Sequence, residues 1–581
     1  MAENIMTGYP SIDRPWLNYY SKDAITKDIP ETKLYDYISE CNKGYEGNLC
    51  ITYWGKKITY KVFFREIDKV AKSFIALGVK TGDVVSIVAP TTPESIYCVY
   101  ALNRLGAIAN LIDPRLSEEN IREKITYSKY IIALDLIYKK MRSAINESQV
   151  VVFFSIAESF PGYMKILYKM KGNSEYDKKA VIGWKAFIES GNRVVDVIDV
   201  PYQKNEVVVM VSTSGTTGKS KLAQLTNDNI NAVAWQYEYA GYGKHYGETF
   251  LNIMPLFLAY GFVSGIHMPL ALGFKIVIIP QRDLSQMAKY ILKYKPQAYL
   301  DVPNGMASVI SDKRMKNNTD LSFIQHIGVG GDTLEITLEQ QCNEFLKKHN
   351  YATKLQKGYG MTEIASAAVI NVSDSCNTLG SVGIPFVKTN AKIVNPETHE
   401  ELGYNEVGEL CLAGPGVFAG YLNDEEATKA EMEVDENGVR WLYTGDLFLM
   451  NENGELFFKE RIKTMFIRPD GHNNHPHIIN ELIQKHPAVK AACTVGVKSP
   501  YHATGKYPKT VIILQEAFKG KECAIQRELE KMCLSEFSQR DIPYWYEFVD
   551  EFPYTPNGKV DYRALENKGI EQAKVAEGAV F

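Results

Sequence analysis

The residues with the clearest potential for chemistry form a short loop between Ser212 and Lys221. This stretch, S-T-S-G-T-T-G-K-S-K, combines hydroxyl side chains with two glycines and two lysines, directly after the apolar run 207–211. Glycines let backbone amides approach anionic oxygens, and hydroxyl and ammonium groups add hydrogen-bond donors. The composition of the loop alone is compatible with a phosphate-binding loop and equally with an ordinary turn.

The loop differs from a Walker A phosphate loop, which has the form G-x-x-x-x-G-K-[ST]. Gly218, Lys219 and Ser220 supply the ending of that motif, but the preceding glycine is Gly215, and the Walker spacing requires a glycine at Thr213. The loop is therefore too short for a Walker turn. Phosphate binding here has to use another geometry.

Further motifs follow this loop in a fixed order. They are 255–261 (P-L-F-L-A-Y-G), 358–363 (G-Y-G-M-T-E), 408–410 (G-E-L) with 420–421 (G-Y), 443–446 (Y-T-G-D) with Arg461, and 556–559 (P-N-G-K). Together with the loop they resemble the adenylate-forming (AMP-binding) superfamily, most closely its acyl-CoA synthetases and fatty- or aryl-acid CoA ligases. The resemblance covers the chain from about Thr59 to Leu565. Each motif is weak alone, so the identification depends on their common order.

The resemblance implies an ATP-binding role for residues in several of these motifs. In the family, the hydroxyl-rich loop binds the β- and γ-phosphates, the aromatic residue at Tyr359 stacks on adenine, and the carboxylate at Asp446 accepts hydrogen bonds from the ribose hydroxyls. The implied ATP-binding residues are Thr213, Ser214, Gly215, Thr216, Thr217, Gly218, Lys221, Gly331, Asp332, Thr333, Tyr359, Asp446 and Arg461.

The resemblance also implies three catalytic residues, Lys559, Thr362 and Glu363. Lys559 would enter the site from the C-terminal domain and stabilise the charge that develops at the α-phosphorus. Thr362 would donate to the α-phosphate. Glu363 would bind Mg²⁺, which usually takes one or two carboxylates together with phosphate oxygens. Outside this set of motifs, a C-terminal lysine in a turn is an ordinary surface residue.

The elements that position these residues alternate between strands and helices. Apolar residues in 63–77 follow a helical period with Gly78 suited to the C-cap, and 84–88 is typical of a strand. This alternation predicts an α/β fold of parallel sheets flanked by helices. The resemblance adds a small barrel to a large N-terminal domain, residues 1–462, and a small mobile α+β C-terminal domain, residues 463–581. Lys463 matches the hinge position between them.

The function implied by the resemblance is that of an acid–thiol ligase. A carboxylic acid reacts with ATP and Mg²⁺ to give an acyl-adenylate, and the acyl group then passes to the thiol of CoA. One alternative is an acyl-AMP ligase that loads the phosphopantetheine of a separate carrier protein. Another is a catalytically inactive nucleotide-binding sensor, which the presence of Lys559 disfavours because a sensor has no need of it.

The chain departs from the family pattern at three places. Leu258 occupies a position where many members have histidine, near the entry for acyl and thiol groups. The loop from Arg461 to Gly471 is one residue longer than usual, and Ile478 and Asn480 stand where the family generally has glutamates. We expect these changes to affect the second half-reaction and substrate fit more than adenylation.

Three histidines also lie in this C-terminal segment. His472, His475 and His477 suggest a metal cluster, although histidines in a polar loop are more often solvated or hydrogen-bonded, and the latter interpretation is preferred.

The acid itself is constrained only by class. Residues 261–265 offer no carboxylate for an α-ammonium group, which disfavours an α-amino acid. We expect the glycines at 328, 330, 331 and 360 to leave room for an elongated apolar or aryl chain. The sequence leaves open the particular acid, the choice between CoA and a carrier protein, and the oligomeric state.

Composition limits the remaining function classes. The 581 residues are 45% hydrophobic and 23% charged with a net charge of −4, which is ordinary for a multi-domain globular enzyme and argues against bulk nucleic-acid binding. The nine cysteines include no C-x-x-C pair, as expected of reduced thiols without a zinc site.

We find no signal peptide and no apolar run of membrane-spanning length. A cytoplasmic location is therefore expected.

Overall fold

The computed structural model describes residues 6–170, 181–213, 221–280, 283–316, 319–470, 472–498, 505–554, 560–570 and 573–576. Within these ranges no helix is long and apolar enough to cross a membrane.

The α-helices of the described residues vary from one turn to five. In chain order they are α1 (Pro10–Asp13), α2 (Lys22–Thr26), α3 (Leu34–Cys41), α4 (Tyr60–Leu77), α5 (Pro93–Arg104), α6 (Glu118–Ile125), α7 (Tyr138–Ala144), α8 (Gly162–Met170), α9 (Trp184–Ser190), α10 (Asn227–Tyr237), α11 (Met268–Ala271), α12 (Met287–Tyr294), α13 (Pro303–Ser311), α14 (Ile336–Lys348), α15 (Glu425–Glu431), α16 (Pro476–Gln484), α17 (Glu522–Glu536) and α18 (Tyr562–Asn567).

The strands of the described residues are mostly short. In chain order they are β1 (Leu49–Tyr53), β2 (Lys56–Thr59), β3 (Val84–Val88), β4 (Ile108–Ile112), β5 (Tyr130–Leu134), β6 (Val150–Phe154), β7 (Ile182–Gly183), β8 (Val207–Ser212), β9 (Leu222–Thr226), β10 (Thr249–Asn252), β11 (Lys275–Ile278), β12 (Ala298–Asp301), β13 (His326–Val329), β14 (Gln356–Tyr359), β15 (Val369–Ile370), β16 (Ile384–Pro385), β17 (Asn390–Val394), β18 (Gly408–Ala413), β19 (Gly420–Tyr421), β20 (Met432–Val434), β21 (Arg440–Met450), β22 (Leu456–Arg461), β23 (Phe466–Ile467), β24 (Asn473–Asn474), β25 (Val489–Val497), β26 (Tyr507–Leu514), β27 (Trp545–Phe548) and β28 (Lys574–Val575).

Helix α4 shows how local sequence determines these elements. Its apolar residues recur at the helical period and are buried along one face, including Phe63, Ile67 and Phe74. The Thr59 side chain accepts a hydrogen bond from a first-turn amide, and Gly78 follows the last helical residue with a φ of +93°. A residue without a side chain adopts this left-handed conformation at little cost. The predicted helix is confirmed, and it begins one turn earlier than the apolar period indicated.

Two large, mainly parallel sheets make up most of the N-terminal part. The first has nine strands in the order β16-β15-β14-β13-β12-β10-β11-β1-β2, and the second has eight in the order β19-β9-β8-β4-β3-β5-β6-β7. The central neighbours of both sheets are parallel, whereas β2, β15, β16, β9 and β19 pair antiparallel at the ends. The predicted α/β class with parallel sheets is confirmed.

A five-stranded sheet stands where the small barrel was predicted. Its order is β17-β18-β21-β20, and β22 also pairs with β21. Among the described residues no closed barrel is found, and this five-stranded sheet stands in the place of the predicted small barrel.

The C-terminal part has its own sheet and its own core. Strands β25, β26, β27 and β28 form a four-stranded sheet in that order. Helices α16, α17 and α18 contribute Ile483, Leu529 and Leu565 to a buried cluster that also contains Val511 and Trp545. This is an α+β arrangement, as predicted.

By contact the chain divides into two units. The first contains residues 1–392, 411–443 and 450–457, and the second contains residues 393–410, 444–449 and 458–581. The boundary after residue 462, which marks the expected hinge, remains a prediction.

A buried ion pair holds β14 in the first unit. Lys357 Nζ contacts a carboxylate oxygen of Glu339 on α14, and the two side chains are only 4% and 2% exposed. The same ammonium group donates to the Thr378 carbonyl oxygen at 2.9 Å, and Glu339 accepts from the Gly380 amide at 3.0 Å. Because Lys357 lies on the strand that ends at Tyr359, the pair anchors a predicted site residue.

Replacing Lys357 with Met is expected to lower the free energy of unfolding by about 3–5 kcal/mol, because it leaves the Glu339 carboxylate buried without its partner. The double variant Lys357→Met/Glu339→Gln removes both charges and is expected to recover part of this loss. Urea unfolding of the three proteins measures both effects. A single variant as stable as the wild type would show that the pair does not anchor β14.

Candidate active site

The hydroxyl-rich loop connects β8 to β9, two antiparallel neighbours in the eight-stranded sheet. The backbone amide of Thr213 donates to the Lys221 carbonyl oxygen at 2.9 Å, which closes the base of the hairpin. A Walker loop leads from a strand into a helix, so the hairpin is a second difference from that motif. The predicted phosphate-binding residues Ser214, Gly215, Thr216, Thr217 and Gly218 lie outside the described residues.

Strand pairing places Lys221 beside Tyr421. Strand β19 pairs with β9 so that Tyr421 lies opposite Ala223. The Lys221 ammonium is 4.4 Å from the centre of the Tyr421 ring and 3.4 Å from a carboxylate oxygen of Glu431 at the end of α15. A cation over an aromatic face is attracted by the ring quadrupole. The ring and the carboxylate therefore fix the position of the lysine that was predicted to bind phosphate.

The Tyr421 hydroxyl connects this lysine to Glu363. It lies 2.6 Å from Glu363 Oε1 and also contacts the Glu431 carboxylate. Burial, and then the charge of Glu363, raise the pKa of Tyr421, so the phenol stays protonated. A phenol has one proton to donate, so it can donate to only one carboxylate at a time, and Lys221 supplies positive charge beside Glu431. We call these four residues the Tyr421 cluster.

Glu363 is presented by a tight turn after β14. It lies in the 3₁₀ turn Thr362–Ile364, is 7% exposed, and is followed by Ala365 and Ser366 with φ values of 52° and 104°. Such conformations cost about 1–3 kcal/mol for residues other than glycine and persist where the surroundings enforce them. A Cβ at Gly360 would lie 1.9 Å from the Ser366 carbonyl oxygen. The turn therefore requires glycine at position 360.

The predicted adenine-contacting residues follow two neighbouring strands. Strands β13 and β14 are parallel, with Val329 opposite Lys357. Residues 331–333 follow the first strand and are exposed, whereas Tyr359 ends the second and is half-buried. Parallel strands bring their carboxyl ends to the same edge of a sheet, where α/β proteins generally bind ligands. The structure thus brings these residues to one edge, together with the turn that carries Glu363.

In the second unit, Asp446 pairs with Arg461. Arg461 Nε lies 3.2 Å from Asp446 Oδ1, and the aspartate side chain is 3% exposed whereas the arginine is 43% exposed. The T-G-D motif lies within β21 and is not a reverse turn. The Gly445 amide beside it donates to Glu409 Oε1 at 2.8 Å. The pair leaves the arginine partly open to solvent next to a buried carboxylate.

The remaining predicted residues of the C-terminal part are only partly described. Lys463 is exposed in the 3₁₀ turn Ile462–Thr464, between β22 and β23. Lys559 lies outside the described residues.

The glycines that we expected to make room for an acyl chain have another role. A Cβ at Gly330 would lie 2.9 Å from the Gly358 carbonyl oxygen, and one at Gly328 would lie 2.6 Å from Leu300 Cδ2. At Gly330 and Gly360 the neighbouring atom is a backbone carbonyl oxygen, whereas at Gly328 it is the end of a leucine side chain, and in each case protein atoms already occupy the space. At these three positions the expectation of spare pocket volume was wrong. Gly331 differs, because its φ of +81° itself favours glycine.

The three C-terminal histidines divide between two partners. His472 Nε2 contacts Asp541 at 2.7 Å, whereas His475 and His477 both contact Glu460. His472 and His475 are therefore hydrogen-bonded, as the preferred interpretation expected, and the less favoured group of three histidines is not brought together; two of them lie beside a glutamate instead.

Sequence reasoning missed Glu431 and Glu460. Glu431 ends a charged helix, and Glu460 stands beside Arg461 in β22. Neither residue shows a local pattern that separates it from a solvated surface glutamate. For Glu431 the sequence offered only its position ten residues after the G-Y motif. That position predicts no contact with Lys221 until the pairing of β19 with β9 is known.

Comparison with known proteins identifies the fold of both parts. Residues 39–422 match the AMP-binding enzyme family, and residues 479–559 match the AMP-binding enzyme C-terminal domain. The structure of o-succinylbenzoate CoA synthetase from Bacillus subtilis, in complex with its acyl-adenylate intermediate, has a TM-score of 0.71 at 22% sequence identity. The match covers 93% of this chain and 99% of that chain, and at this identity it shows a common fold.

Two sequence relatives extend over most of the chain. A long-chain-fatty-acid–CoA ligase from Bacillus subtilis is 28% identical over 575 residues, covering 96% of this chain and 98% of the relative. A probable 4-coumarate–CoA ligase from Dictyostelium discoideum is 28% identical over 477 residues, covering 80% and 81%. The family match over 39–422, with the site geometry described above, establishes that this chain belongs to the AMP-binding enzyme family.

Proposed function

We propose that this protein is an ATP-dependent acid–thiol ligase that converts a fatty or aryl carboxylic acid to its CoA thioester through an acyl-adenylate. The observation that carries the proposal is the Tyr421 cluster. Two residues expected to act on the phosphates of ATP, Lys221 and Glu363, are far apart in sequence and meet at one tyrosine.

Lys221 is suited to hold the outer phosphates of ATP. An ammonium group has three protons, so Lys221 can keep its contact with Glu431 and still donate to phosphate oxygens. Its position above the Tyr421 ring limits the directions in which the side chain can turn. The lysine is 25% exposed, which leaves it accessible to a nucleotide.

Glu363 fits the requirements of a Mg²⁺ ligand. Mg²⁺ prefers oxygen ligands and is usually held by one or two carboxylates plus phosphate oxygens. Tyr421 donates to Oε1 of Glu363 and fixes the orientation of the carboxylate. When bound, Mg²⁺ would neutralise phosphate charge during transfer.

Asp446 and Arg461 supply the expected ribose contacts. The two oxygens of a carboxylate can accept hydrogen bonds from both ribose hydroxyls. The ion pair with Arg461 keeps the buried Asp446 carboxylate oriented. Tyr359 would stack on the adenine ring, which binds an aromatic face without requiring a base-specific hydrogen bond.

The reaction proceeds in two steps. An oxygen of the substrate carboxylate bonds to the α-phosphorus of ATP, and the bond between that phosphorus and pyrophosphate breaks. A carboxylate is a poor electrophile, so this step installs AMP as a leaving group. The deprotonated sulfur of CoA then bonds to the carbonyl carbon, and AMP leaves with the electrons of the carbon–oxygen bond.

Two observations support a fatty or aryl acid as the substrate: the names of the sequence relatives and the lack of a carboxylate in residues 261–265. The sequence relatives are named as fatty-acid and 4-coumarate CoA ligases. Residues 261–265 carry no carboxylate for an α-ammonium group. Gly328, Gly330 and Gly360 give no support to this choice, because neighbouring atoms fill the space.

ATP–pyrophosphate exchange over a panel of fatty, aryl and amino acids tests the proposed function. We expect exchange with one fatty or aryl class, and we expect added CoA to divert the reaction to AMP and a thioester. Exchange that CoA leaves unchanged would contradict transfer to CoA and favour a carrier protein as the acceptor. A protein that binds ATP and shows no exchange with any acid would contradict adenylation.

Lys559→Ala is expected to reduce the exchange rate by a factor on the order of 10²–10³, because it removes a cation directed at developing transition-state charge. ATP affinity, measured by calorimetry, should change little. Lys519→Ala is the matched control, since Lys519 is a half-exposed lysine of the same domain that pairs with Glu516 and Asp550. Equal exchange by the two variants would remove Lys559 from the mechanism.

A further inference from the structure

In the second unit, the imidazole rings of two histidines lie beside one carboxylate oxygen of a glutamate. Glu460 Oε2 lies 3.1 Å from His475 Nδ1 and 3.1 Å from His477 Nδ1. The possible ligand atoms of all three residues lie within 4.8 Å of one another. The Glu460 side chain is 2% exposed, so this carboxylate is withdrawn from water; its partners are the two imidazoles at Oε2 and the His477 backbone amide at Oε1.

These separations are close to those of a metal site. Zn²⁺ binds histidine nitrogens and carboxylate oxygens at about 2.0–2.2 Å in tetrahedral geometry, which places neighbouring ligand atoms about 3.3 Å apart. Both measured nitrogen–oxygen distances are near this value. Two histidines and a glutamate, with a fourth position left for water, are a known ligand set for zinc.

The hydrogen bonding around Glu460 is incomplete. His475 Nδ1 is hydrogen-bonded to Glu460. His477 Nδ1 is buried and, despite its distance from Glu460, has no aligned hydrogen-bond partner among the described residues. One turn along α16, Asn480 Oδ1 is also buried without a partner within the described ranges. Buried polar atoms are nearly always paired, and a metal ion bound by His477 Nδ1 would give that nitrogen a partner.

We propose that Glu460, His475 and His477 bind one Zn²⁺ ion through a carboxylate oxygen and two Nδ1 atoms. Imidazole nitrogens favour Zn²⁺ and similar transition metals, whereas Mg²⁺ and Ca²⁺ prefer oxygen ligands. The site is therefore distinct from the Mg²⁺ position at Glu363. One of the three proposed ligands is reachable from solvent, because His475 is 37% exposed and lines a cleft with His472, Phe537 and Asp541.

The metal would join residues on both sides of the predicted hinge. Glu460 lies near the end of β22, immediately before Arg461 and three residues before Lys463. His475 and His477 follow the hinge, at the start of α16. A bound ion would hold the end of β22 to α16 and restrict the turn between them. This consequence rests on the proposed function, whereas metal binding itself does not.

A salt bridge without metal is the competing explanation. Burial by itself raises the pKa of Glu460, but the interactions with His475 and His477 together outweigh it, and the pKa lies below its usual value. The hydrogen bond with Glu460 raises the pKa of His475. In this explanation a protonated His475 pairs with Glu460, and His477 adds its backbone amide and a nearby imidazole without binding a metal.

Titration of the full-length protein with Co²⁺, after dialysis against a chelator, distinguishes the two explanations. We expect one equivalent of Co²⁺ to bind with tetrahedral visible absorption bands, in the presence of excess Mg²⁺, and Zn²⁺ to displace it. Glu460→Gln and His477→Asn should each weaken binding at least about 100-fold, since even outer partners of metal ligands contribute 10–100-fold. His472→Asn is the matched control and should bind as the wild type does.

Two results would overturn the proposal. The first is a wild type that binds no Co²⁺. The second is binding that His477→Asn leaves unchanged or that His472→Asn weakens equally. Because the measurement uses no substrate, its failure is separate from failure of the ligase assay. Circular dichroism confirms that each variant is folded, and His475→Asn replaces His477→Asn if the latter does not fold.

Discussion

The hydroxyl group of Tyr421 is the contact on which the candidate site of the first unit depends. It brings the carboxylates of Glu363 and Glu431 to one point, and its ring lies beneath the ammonium group of Lys221. Burying an unpaired carboxylate or ammonium group costs much free energy. The cost is far smaller when groups of opposite charge are buried together and hydrogen-bonded. The cluster therefore holds the cation and the carboxylate, for which we propose phosphate and Mg²⁺ binding, in a fixed relation.

The sheets make this contact possible. Pairing of β19 with β9 sets Tyr421 beside Lys221, and β14 delivers Glu363 through a turn that only Gly360 permits. The buried pair between Lys357 and Glu339 fixes β14 upstream of that turn. Each group of the site is thus held by backbone hydrogen bonds or close packing, which is what a preorganised electrostatic site requires.

Local patterns in the sequence predict much of the fold. The apolar period gives α4, the short apolar runs give strands such as β3 and β25, and the order of motifs gives the family. The hairpin at the hydroxyl-rich loop and the five-stranded sheet were not predictable, because they depend on which strands pair. Glycines were also misinterpreted, since a missing side chain marks either space or close backbone contact, and at Gly328, Gly330 and Gly360 it is contact.

Residues of the candidate site could be predicted only where they belong to a sequence motif. Lys221 and Glu363 belong to motifs, whereas Glu431 and Glu460 acquire their partners from residues distant in sequence. No local period or spacing marks such long-range contacts. One of these contacts lies at Lys221 and the other beside the predicted hinge.

The Mg²⁺ dependence of ATP–pyrophosphate exchange in Tyr421→Phe tests most directly whether the Tyr421 cluster positions Glu363. A hydrogen bond to a charged group is worth about 1.5–3 kcal/mol, so the Mg²⁺ concentration for half-maximal exchange should rise at least about 10-fold. Tyr202→Phe, which removes another tyrosine–carboxylate hydrogen bond of the first unit, to Asp228, should leave it unchanged. A Tyr421→Phe protein with wild-type Mg²⁺ dependence would contradict the account.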